Sequence, residues 1–200
     1  MFHPSTVWRE KNMTVESPDV PWARNHDEHG LPPEFAYKPA KAAEFFHSFL
    51  KSKRLSSGVL ADLGCGNGRN AVHFAKNGFE VHAIDRSESA LATLARHGVS
   101  VYSQDLMECW LFNDCSFDFA MDVFCYSQEK DEGRRATYRS ELARSLRAGG
   151  YFLLTVPARI FPKSGIEKEF SEFSILACDE CVEEIAGGKV DSLMLIMKKR

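Results

Sequence analysis

From about residue 59 onward, short apolar runs alternate with helical segments, and glycines separate several of them. GVLADLG is typical of a buried strand, and the segment that follows it, RNAVHFAKNG, has helical spacing and ends at Gly78. The same order returns in FEVHAID, in ESALATLARHG after a capping Ser87, and in VSVYSQD after Gly98. A helix that joins two parallel strands makes a right-handed crossover. The alternation therefore predicts an α/β fold with helices on both faces of a parallel sheet.

Further segments extend this pattern on both sides. FAYKPAKAAEFFHSFLKSK predicts a packing helix over 35–53, FDFAMDVF a fourth strand, 131–147 an amphipathic helix and AGGYFLLTV a fifth strand. After Pro157 two interpretations stay open. SILACDECVEEI and VDSLMLIMKK form an antiparallel hairpin around Gly187 and Gly188, or 178–186 form a helix followed by one strand. We expect a Rossmann-like, doubly wound, mostly parallel sheet, with an antiparallel C-terminal hairpin in the first case.

The length and composition indicate one domain. A chain of 200 residues with 44% hydrophobic and 26% charged residues is large enough to bury a core of its own. We assign the domain to 34–200. Residues 1–33 contain five prolines and no sustained apolar period, which predicts an irregular arm or lid. Trp8 and Trp22 favour packing of this arm against the domain or a ligand.

Charge and cysteine usage restrict the partners. A net charge of -3 provides no basic field for a nucleic-acid backbone. No stretch approaches the roughly 18 apolar residues of a membrane span, and MFHPSTVWREKNM lacks the apolar core of a signal peptide. The six cysteines are scattered, which favours free thiols in a reducing compartment. We expect a cytoplasmic protein that binds neither nucleic acid nor a membrane, and its oligomeric state stays open.

The segment VLADLGCGNGRN turns from strand to helix through Gly64, Gly66 and Gly68. Such a turn lets a ligand approach the backbone closely and directs amide groups at it. The spacing departs from the dinucleotide pattern G-x-G-x-x-G, because Arg69 stands where its third glycine would be. Asp62 would attract an ammonium group and repel a pyrophosphate. The loop favours a cationic nucleoside that carries an amino acid.

Four motifs between residues 59 and 155 resemble those of the class I S-adenosylmethionine-dependent methyltransferases. DLGCGNGRN resembles the first, VHAIDRS the second, SQDL the third and FDFAMDVF the fourth, and LRAGGYFLLTV resembles the turn and strand that follow. The resemblance implies that Asp62 and the loop glycines border the methionine part of the cofactor. It also implies that Asp85 binds the ribose hydroxyls, and that Asp105 and the Leu106 backbone face the adenine. The predicted cofactor-binding residues are Asp62, Gly64, Cys65, Gly66, Asn67, Gly68, Arg69, Asn70, Asp85, Arg86, Asp105, Leu106, Asp122 and Val123.

Within this superfamily, the stretch from Gly64 to Asp85 is most similar to the small-molecule group that includes the tellurite-resistance and thiopurine methyltransferases. There the resemblance implies that Arg69 and Asn70 lie near the carboxylate end of the cofactor. The predicted function is transfer of a methyl group from S-adenosylmethionine to a small-molecule acceptor. Two alternatives stay open: a non-catalytic relative that binds the cofactor as a sensor or partner subunit, and an NAD-type oxidoreductase.

The acceptor side is predicted from position in the fold. Asp122, Cys125 and Tyr126 follow the fourth strand at the carboxyl edge, where open α/β sheets bind ligands. We expect Cys125 and Tyr126 to contact the acceptor, together with Trp22 and His26 of the arm. Because in-line displacement at a sulfonium methyl needs no fixed catalytic group, the sequence identifies no catalytic residue.

Histidines and cysteines raise the separate question of a metal site. His26 and His29 have helical spacing, and Cys178 and Cys181 form a C-x-x-C pair. Histidine and cysteine are both common zinc ligands, but nothing in the sequence fixes the distance between the histidine pair and the cysteine pair. Cys65 lies inside the glycine loop, where we expect its thiol to pack rather than react. We therefore expect no metal.

Overall fold

The computed structural model describes residues 38–200 apart from 93, 95, 96, 186 and 187. Helices and strands alternate through most of this range, and a 3-10 turn covers Tyr126–Gln128. In chain order they are α1 (Lys41–Ser52), β1 (Val59–Leu63), α2 (Arg69–Lys76), β2 (Glu80–Asp85), α3 (Glu88–Leu91), β3 (Ser100–Ser103), β4 (Phe117–Val123), α4 (Glu132–Ser145), β5 (Leu146–Pro157), α5 (Lys163–Glu169), β6 (Phe173–Ile185) and β7 (Gly188–Lys199).

The seven strands form one sheet in the order β3-β2-β1-β4-β5-β7-β6. Neighbouring strands from β3 to β5 pair in parallel, whereas β7 pairs antiparallel with both β5 and β6. Helices α1 and α2 cover one face, with Phe46 and Phe74 fully buried. Helices α4 and α5 cover the other face, where Tyr138 and Ile166 are fully buried. The predicted doubly wound, mostly parallel sheet is confirmed.

The two C-terminal interpretations are resolved in favour of the hairpin, and the predicted helix over 178–186 is wrong. Strand β6 runs from Phe173 to Ile185, and its side chains alternate between the two faces of the sheet. Cys178 packs against the core beneath α4 and α5, whereas Cys181 packs against the core beneath α1. A helix would have placed these two side chains on the same side.

Several element boundaries differ from the prediction. Helix α1 begins at Lys41, because its N-cap residue Ala40 has an extended backbone, and Pro39 disfavours a helical conformation at Lys38. Helix α4 ends at Ser145, and 146–147 already belong to β5. Helix α5 was not predicted. Residues 1–37, and with them the predicted arm, lie outside the described residues, as do three positions of the helix predicted after Ser87.

Among the described helices, not one combines the length and apolar character that crossing a membrane requires.

Candidate functional site

The parallel strands of the sheet end at one edge, and four aspartates lie at or near these ends. Asp62 is the fourth residue of β1, Asp85 is the last of β2, and Asp122 is the next-to-last of β4. Asp105 comes two residues after β3 ends. Because ligands bind beyond the carboxyl ends of parallel strands, this edge is the candidate site.

The loop between β1 and α2 owes its shape to three glycines. Gly64, Gly66 and Gly68 have φ values of 73°, 52° and 74°, in the left-handed region that favours glycine. A Cβ at Gly64 would lie 2.3 Å from the Cβ of Cys125, and one at Gly68 would lie 2.1 Å from Leu94 Cδ2. The loop therefore excludes side chains at Gly64 and Gly68 for steric as well as conformational reasons.

Asp62 directly precedes this loop and is only 1% exposed. Its Oδ2 atom has no hydrogen-bond partner among the described residues. Burial raises the pKa of this carboxyl group to about 8, although the Ala71 backbone N–H opposes the shift. An unpaired buried oxygen costs free energy, which a ligand that donates a hydrogen bond or carries a positive charge would recover.

Asp85 connects the glycine loop to the start of α3. Its Oδ2 accepts a hydrogen bond from the Gly66 N–H at 2.8 Å, and its Oδ1 accepts one from the Ser87 N–H at 2.9 Å. Ser87 caps α3 as predicted, with Oγ accepting from Ala90 N–H at 3.4 Å. Each oxygen of Asp85 keeps a further lone pair. Asp85 can therefore still accept hydrogen bonds from ribose hydroxyls, and its predicted ribose contact stays a prediction.

Asp105 and Leu106 form the turn after β3. The Asp105 carboxylate accepts hydrogen bonds from the Met107 N–H at 2.9 Å and from Arg134 Nη2 at 2.7 Å. Leu106 is buried, and its carbonyl accepts from Trp110 Nε1 at 2.9 Å. The Asp105 carboxylate is thus already bound by an arginine of α4, and its predicted adenine contact stays a prediction.

Asp122 lies inside the protein and has no exposed surface. Its carboxylate accepts from the Cys125 and Tyr126 N–H groups, at 2.8 and 2.9 Å, and from the Tyr138 hydroxyl at 2.7 Å. Burial raises the pKa of this carboxyl group to about 6, and the Tyr138 bond opposes the shift. The side chain of Asp122 therefore holds the turn after β4 together, and the cofactor contact predicted for Asp122 and Val123 stays a prediction.

Tyr126 lies in the core rather than at the open edge, and the acceptor contact predicted for it stays a prediction that this position does not support. Its side chain is fully buried, with its ring 5.1 Å from that of Phe170 and 5.2 Å from that of Tyr138. Its hydroxyl donates to Glu169 and accepts from Arg139 Nη1 at 2.5 Å. The Asp122 carboxylate turns the chain so that this ring points back into the core.

Cys125 stays at the edge, partly exposed and against Gly64. Burial raises the pKa of its thiol well above the usual value, so the thiol is neutral at physiological pH. Cys65 is buried, and burial likewise raises the pKa of its thiol well above the usual value. A neutral thiol is a poor nucleophile, which agrees with the packing role expected for Cys65.

The other predicted loop residues have mixed roles. Asn67 Oδ1 accepts from the Arg69 N–H at 3.4 Å, and the positive charge of Arg69 lowers the pKa of Asp62. Asn70 is buried, and its Oδ1 accepts from the Ala40 N–H at 2.9 Å. Asn70 therefore binds the start of α1, and its predicted place near the cofactor carboxylate stays untested. Arg86 is exposed directly after β2.

Two residues at this edge escaped the sequence prediction. Phe124 has a φ of 71°, which is rare for a residue other than glycine, and its N–H donates to the Thr155 carbonyl at 3.1 Å. Glu183 of β6 is 1% exposed and accepts from the Ala42 N–H at 2.6 Å. Phe124 is the last residue of FDFAMDVF, but nothing in that motif predicts its positive φ, and Glu183 belongs to no recognisable motif.

The described residues contain no group of three or more histidine, cysteine, aspartate or glutamate side chains that could hold a metal ion. Cys178 and Cys181 lie on opposite faces of β6 and cannot bind one ion together. His26, His29 and Trp22 lie outside the described residues.

A comparison with protein families concerns the part of the chain that forms this edge. Residues 60–150, from the glycine loop through the start of β5, match the family model described as a methyltransferase domain. This segment is therefore similar to methyltransferase domains. The match includes the residues predicted to bind the cofactor, so the methyltransferase motifs and the described edge coincide.

Solved structures share the fold of this chain. The 1,6-didemethyltoxoflavin-N1-methyltransferase of Burkholderia thailandensis, solved with 1,6-didemethyltoxoflavin and S-adenosylhomocysteine, is 20% identical with a TM-score of 0.70, over 89% of this chain and 84% of its own. TehB from Haemophilus influenzae is 18% identical with a TM-score of 0.61, over 80% of this chain and 68% of its own.

A curated relative matches over a shorter range. Hemagglutinin 1 of Eikenella corrodens is 33% identical in a 99-residue alignment that covers 46% of this chain. The matched part spans only 32% of that protein, so the chain covers about a third of this relative.

Proposed function

We propose that this chain binds S-adenosylmethionine at the glycine loop and transfers its methyl group to a small-molecule acceptor. The observation that carries the proposal is the buried Asp62 oxygen without a donor, beside a loop of left-handed glycines. The ammonium group of the cofactor would supply the missing donor and a positive charge. The family match over 60–150 supports the same assignment.

The described residues fit the parts of this cofactor. Asp62 and the backbone of 64–68 would hold its amino-acid part, and Asp85 would accept from the ribose hydroxyls. Asp105 and the Leu106 backbone would border the adenine. When bound, the cofactor would supply a methyl group on a sulfonium, from which a neutral thioether is a good leaving group. The protein then contributes alignment of the acceptor and exclusion of water.

The acceptor would approach at the carboxyl edge, beside Cys125 and Phe124. A small molecule is the class that the resemblance to tellurite-resistance and thiopurine methyltransferases implies, and the toxoflavin complex of the Burkholderia thailandensis enzyme supports that class. A thiolate or soft metalloid acceptor needs no general base, whereas an oxygen or nitrogen acceptor with a high pKa does. A cytosolic location remains part of this proposal.

Calorimetric titration with S-adenosylmethionine and S-adenosylhomocysteine tests the cofactor assignment. Asp85→Ala should weaken both by roughly 1.5 to 3 kcal/mol, because hydrogen bonds to the ribose are lost. Asp118→Ala is the matched control, since Asp118 also accepts a backbone N–H, that of Val59 at 2.9 Å, but lies at the start of β4, away from the carboxyl edge.

Unchanged affinity in a folded Asp85→Ala protein would contradict the ribose contact, and a wild-type protein that binds neither compound would contradict the proposed function. Turnover measured with a panel of small thiols, amines, phenols and metalloid oxyanions separates an enzyme from a binder. Tight binding without turnover of any acceptor would favour the sensor or partner-subunit alternative.

A further inference from the structure

Thr155 of β5 carries a buried hydroxyl group that no described residue binds. Its side chain has no exposed surface, and its Oγ1 atom, like Asp62 Oδ2, lacks a hydrogen-bond partner within the described part of the chain. An unpaired buried hydroxyl costs free energy, whereas a valine of the same shape would fill this position without that cost. A ligand that binds the hydroxyl would account for the threonine.

Thr155 and Asp62 lie on the same face of the sheet, on either side of β4. Thr155 pairs with Val123 of β4. Asp62 pairs with Met121, two positions earlier in the same strand. Both β4 residues pack in the core beneath α1 and α2, and paired residues share a face. Two strand spacings of about 4.8 Å and two residues of about 3.3 Å separate the Cα atoms of Thr155 and Asp62 by about 12 Å.

A cavity of about 460 Å³ continues this edge beyond the end of β5. Pro157, the last residue of β5, pairs with Ser192, and β7 extends past that pair to Gly188. The hairpin of β6 and β7 therefore projects beyond the edge, and the cavity lies against it. The polar residues that line the cavity are Arg159, Glu180, Cys181, Asp191 and Ser192. Its volume is that of a small-molecule site.

Negative charge prevails at this end of the sheet. Among the described residues that line the cavity, Glu180 and Asp191 are acidic and Arg159 is the one cation, 3.7 Å from Asp191 Oδ2. At Cys125, beside the glycine loop, burial raises the pKa of the thiol first, and the charges of nearby aspartates raise it further. Surroundings of this sign disfavour an anion and stabilise a cation.

A neutral amine is the methyl acceptor that suits these surroundings. Its nitrogen lone pair would form the bond to the methyl carbon while the carbon–sulfur bond breaks, and the sulfur keeps the electron pair of that bond. The positive charge thereby passes to the nitrogen, which later gives a proton to water. Acidic side chains stabilise the cation that forms, whereas attack by a thiolate or an oxyanion would cancel the positive charge instead.

We propose that Thr155 borders the point of methyl transfer, and that its hydroxyl accepts a hydrogen bond from the amino group of an amine acceptor held in the cavity beyond β5. This inference rests on the proposed function. The N–H of the amine supplies the donor that Thr155 lacks, and the nitrogen lone pair stays free to react. Thr155 thereby orients the reacting nitrogen.

Sinefungin and S-adenosylhomocysteine test this contact. Sinefungin carries a primary amine where S-adenosylmethionine carries its methyl group, whereas S-adenosylhomocysteine has no group there. Calorimetry gives the ratio of their dissociation constants. Thr155→Val removes the hydroxyl and keeps the shape, and Thr155→Ser keeps the hydroxyl. Ser145→Ala is the matched control, because Ser145 is also buried, donates to the Glu141 carbonyl at 2.7 Å and directly precedes the opposite end of β5.

We expect the wild-type protein to favour sinefungin by at least about tenfold, and Thr155→Val to reduce this preference at least about fivefold. Affinity for S-adenosylhomocysteine should stay within about twofold, and Thr155→Ser and Ser145→Ala should keep the preference. Because Thr155→Val removes an unpaired hydroxyl, it should unfold at no lower urea concentration than the wild type. Thr155→Ala gives the same comparison if the valine variant does not fold.

A folded Thr155→Val protein that keeps the preference for sinefungin would overturn the inference. A wild-type protein that binds both compounds equally well would overturn it too, while leaving the proposed function standing. In the acceptor panel, methyl transfer to thiols or metalloid oxyanions but to no amine would overturn the amine class. If the wild-type protein bound neither compound, the proposed function would fail and this inference with it.

Discussion

Gly64 and Gly98 have the same backbone φ, 73°, but different surroundings. A Cβ at Gly64 would collide with Cys125 at 2.3 Å, whereas a Cβ at Gly98 would meet nothing within 4 Å. We therefore expect Gly98→Ala to lower the free energy of unfolding by about 1 to 2 kcal/mol, the cost of the left-handed conformation alone. Gly64→Ala should cost at least about 2 kcal/mol more, because the added methyl group overpacks the contact with Cys125.

Urea denaturation of the two variants provides this comparison. Equal losses at the two positions would mean that the close approach of Cys125 to the loop does not constrain Gly64. The difference between the variants thus separates steric exclusion from backbone strain.

Asp62 couples ligand binding to a proton. With a pKa of about 8, its carboxyl group is mostly protonated at pH 7 in the free protein. An ammonium group beside it favours the carboxylate, so binding releases a proton. Affinity for S-adenosylhomocysteine should increase by up to about tenfold per pH unit as the pH rises toward 8, and level off above it.

Calorimetry in buffers of different ionisation enthalpy measures the released proton directly. Asp62→Asn should remove both the proton release and this part of the pH dependence. A wild-type affinity that is independent of pH between 6 and 8 would show that Asp62 does not meet the cationic group.

Sequence motifs identify best those residues whose contacts are with residues close in the sequence. Asp85 contacts Gly66 and Ser87 as a strand-end residue of this loop type does, and three closely spaced glycines predict the turn. The buried position of Tyr126 was not predicted, because the orientation of its side chain depends on Glu169, which is 43 residues away. No local pattern encodes such a partner.

At the level of elements, the start of α1 depends on side chains from two distant parts of the chain. Glu183 of β6 accepts from the Ala42 N–H at 2.6 Å and the Lys41 N–H at 3.3 Å, and Asn70 of α2 accepts from the Ala40 N–H. These bonds satisfy amides that a helix start leaves without partners. Helix α1 is therefore attached to both the glycine-loop helix and the hairpin.

Glu183→Ala should lower the free energy of unfolding by about 1 to 2 kcal/mol, because it removes a buried cap and leaves N–H groups unpaired. Glu180→Ala, an exposed position on the same strand, is the control and should change stability by less than about 0.5 kcal/mol. Thermal or urea unfolding measures both. Equal effects would mean that the Glu183 cap contributes nothing of its own.

Strand and helix identity in the repeating part followed from apolar spacing, and the predicted strands are confirmed. Apolar spacing did not predict the elements that are short or ambiguous. Helix α5 has seven residues and contains Gly165, too little for a helical period to stand out. For β6 both a helix and a strand stayed open, because its two faces each mix polar and apolar side chains, and only pairing with β7 decides between them.

At the scale of the whole molecule, the described part begins beside the candidate site. Ala40 binds Asn70, and Lys41 and Ala42 bind Glu183. The described part of the domain therefore begins near the carboxyl edge. An edge that must exclude water during methyl transfer needs a cover, and the predicted arm, residues 1–33, is our proposed one.

Deleting residues 1–30 should leave affinity for S-adenosylhomocysteine within about threefold, because Asp62, Asp85 and Asp105 remain, while transfer to the acceptor should be lost. Calorimetry and a turnover assay on the same truncated protein measure the two effects. A folded truncated protein with full turnover would assign the arm to another role, such as packing on the far side of the domain or contact between subunits.

Strand β7 follows β6 in the chain but lies between β5 and β6 in the sheet. Residues 194–197 are buried on both faces, so β7 is an interior strand. During synthesis, β1 to β5 can pair once each has emerged from the ribosome, whereas β6 has no sheet partner until β7 has also been made. In that interval β5 presents an open, apolar edge, which is a template for aggregation. We therefore expect the nascent chain to be most prone to aggregation between the emergence of β5 and that of β7.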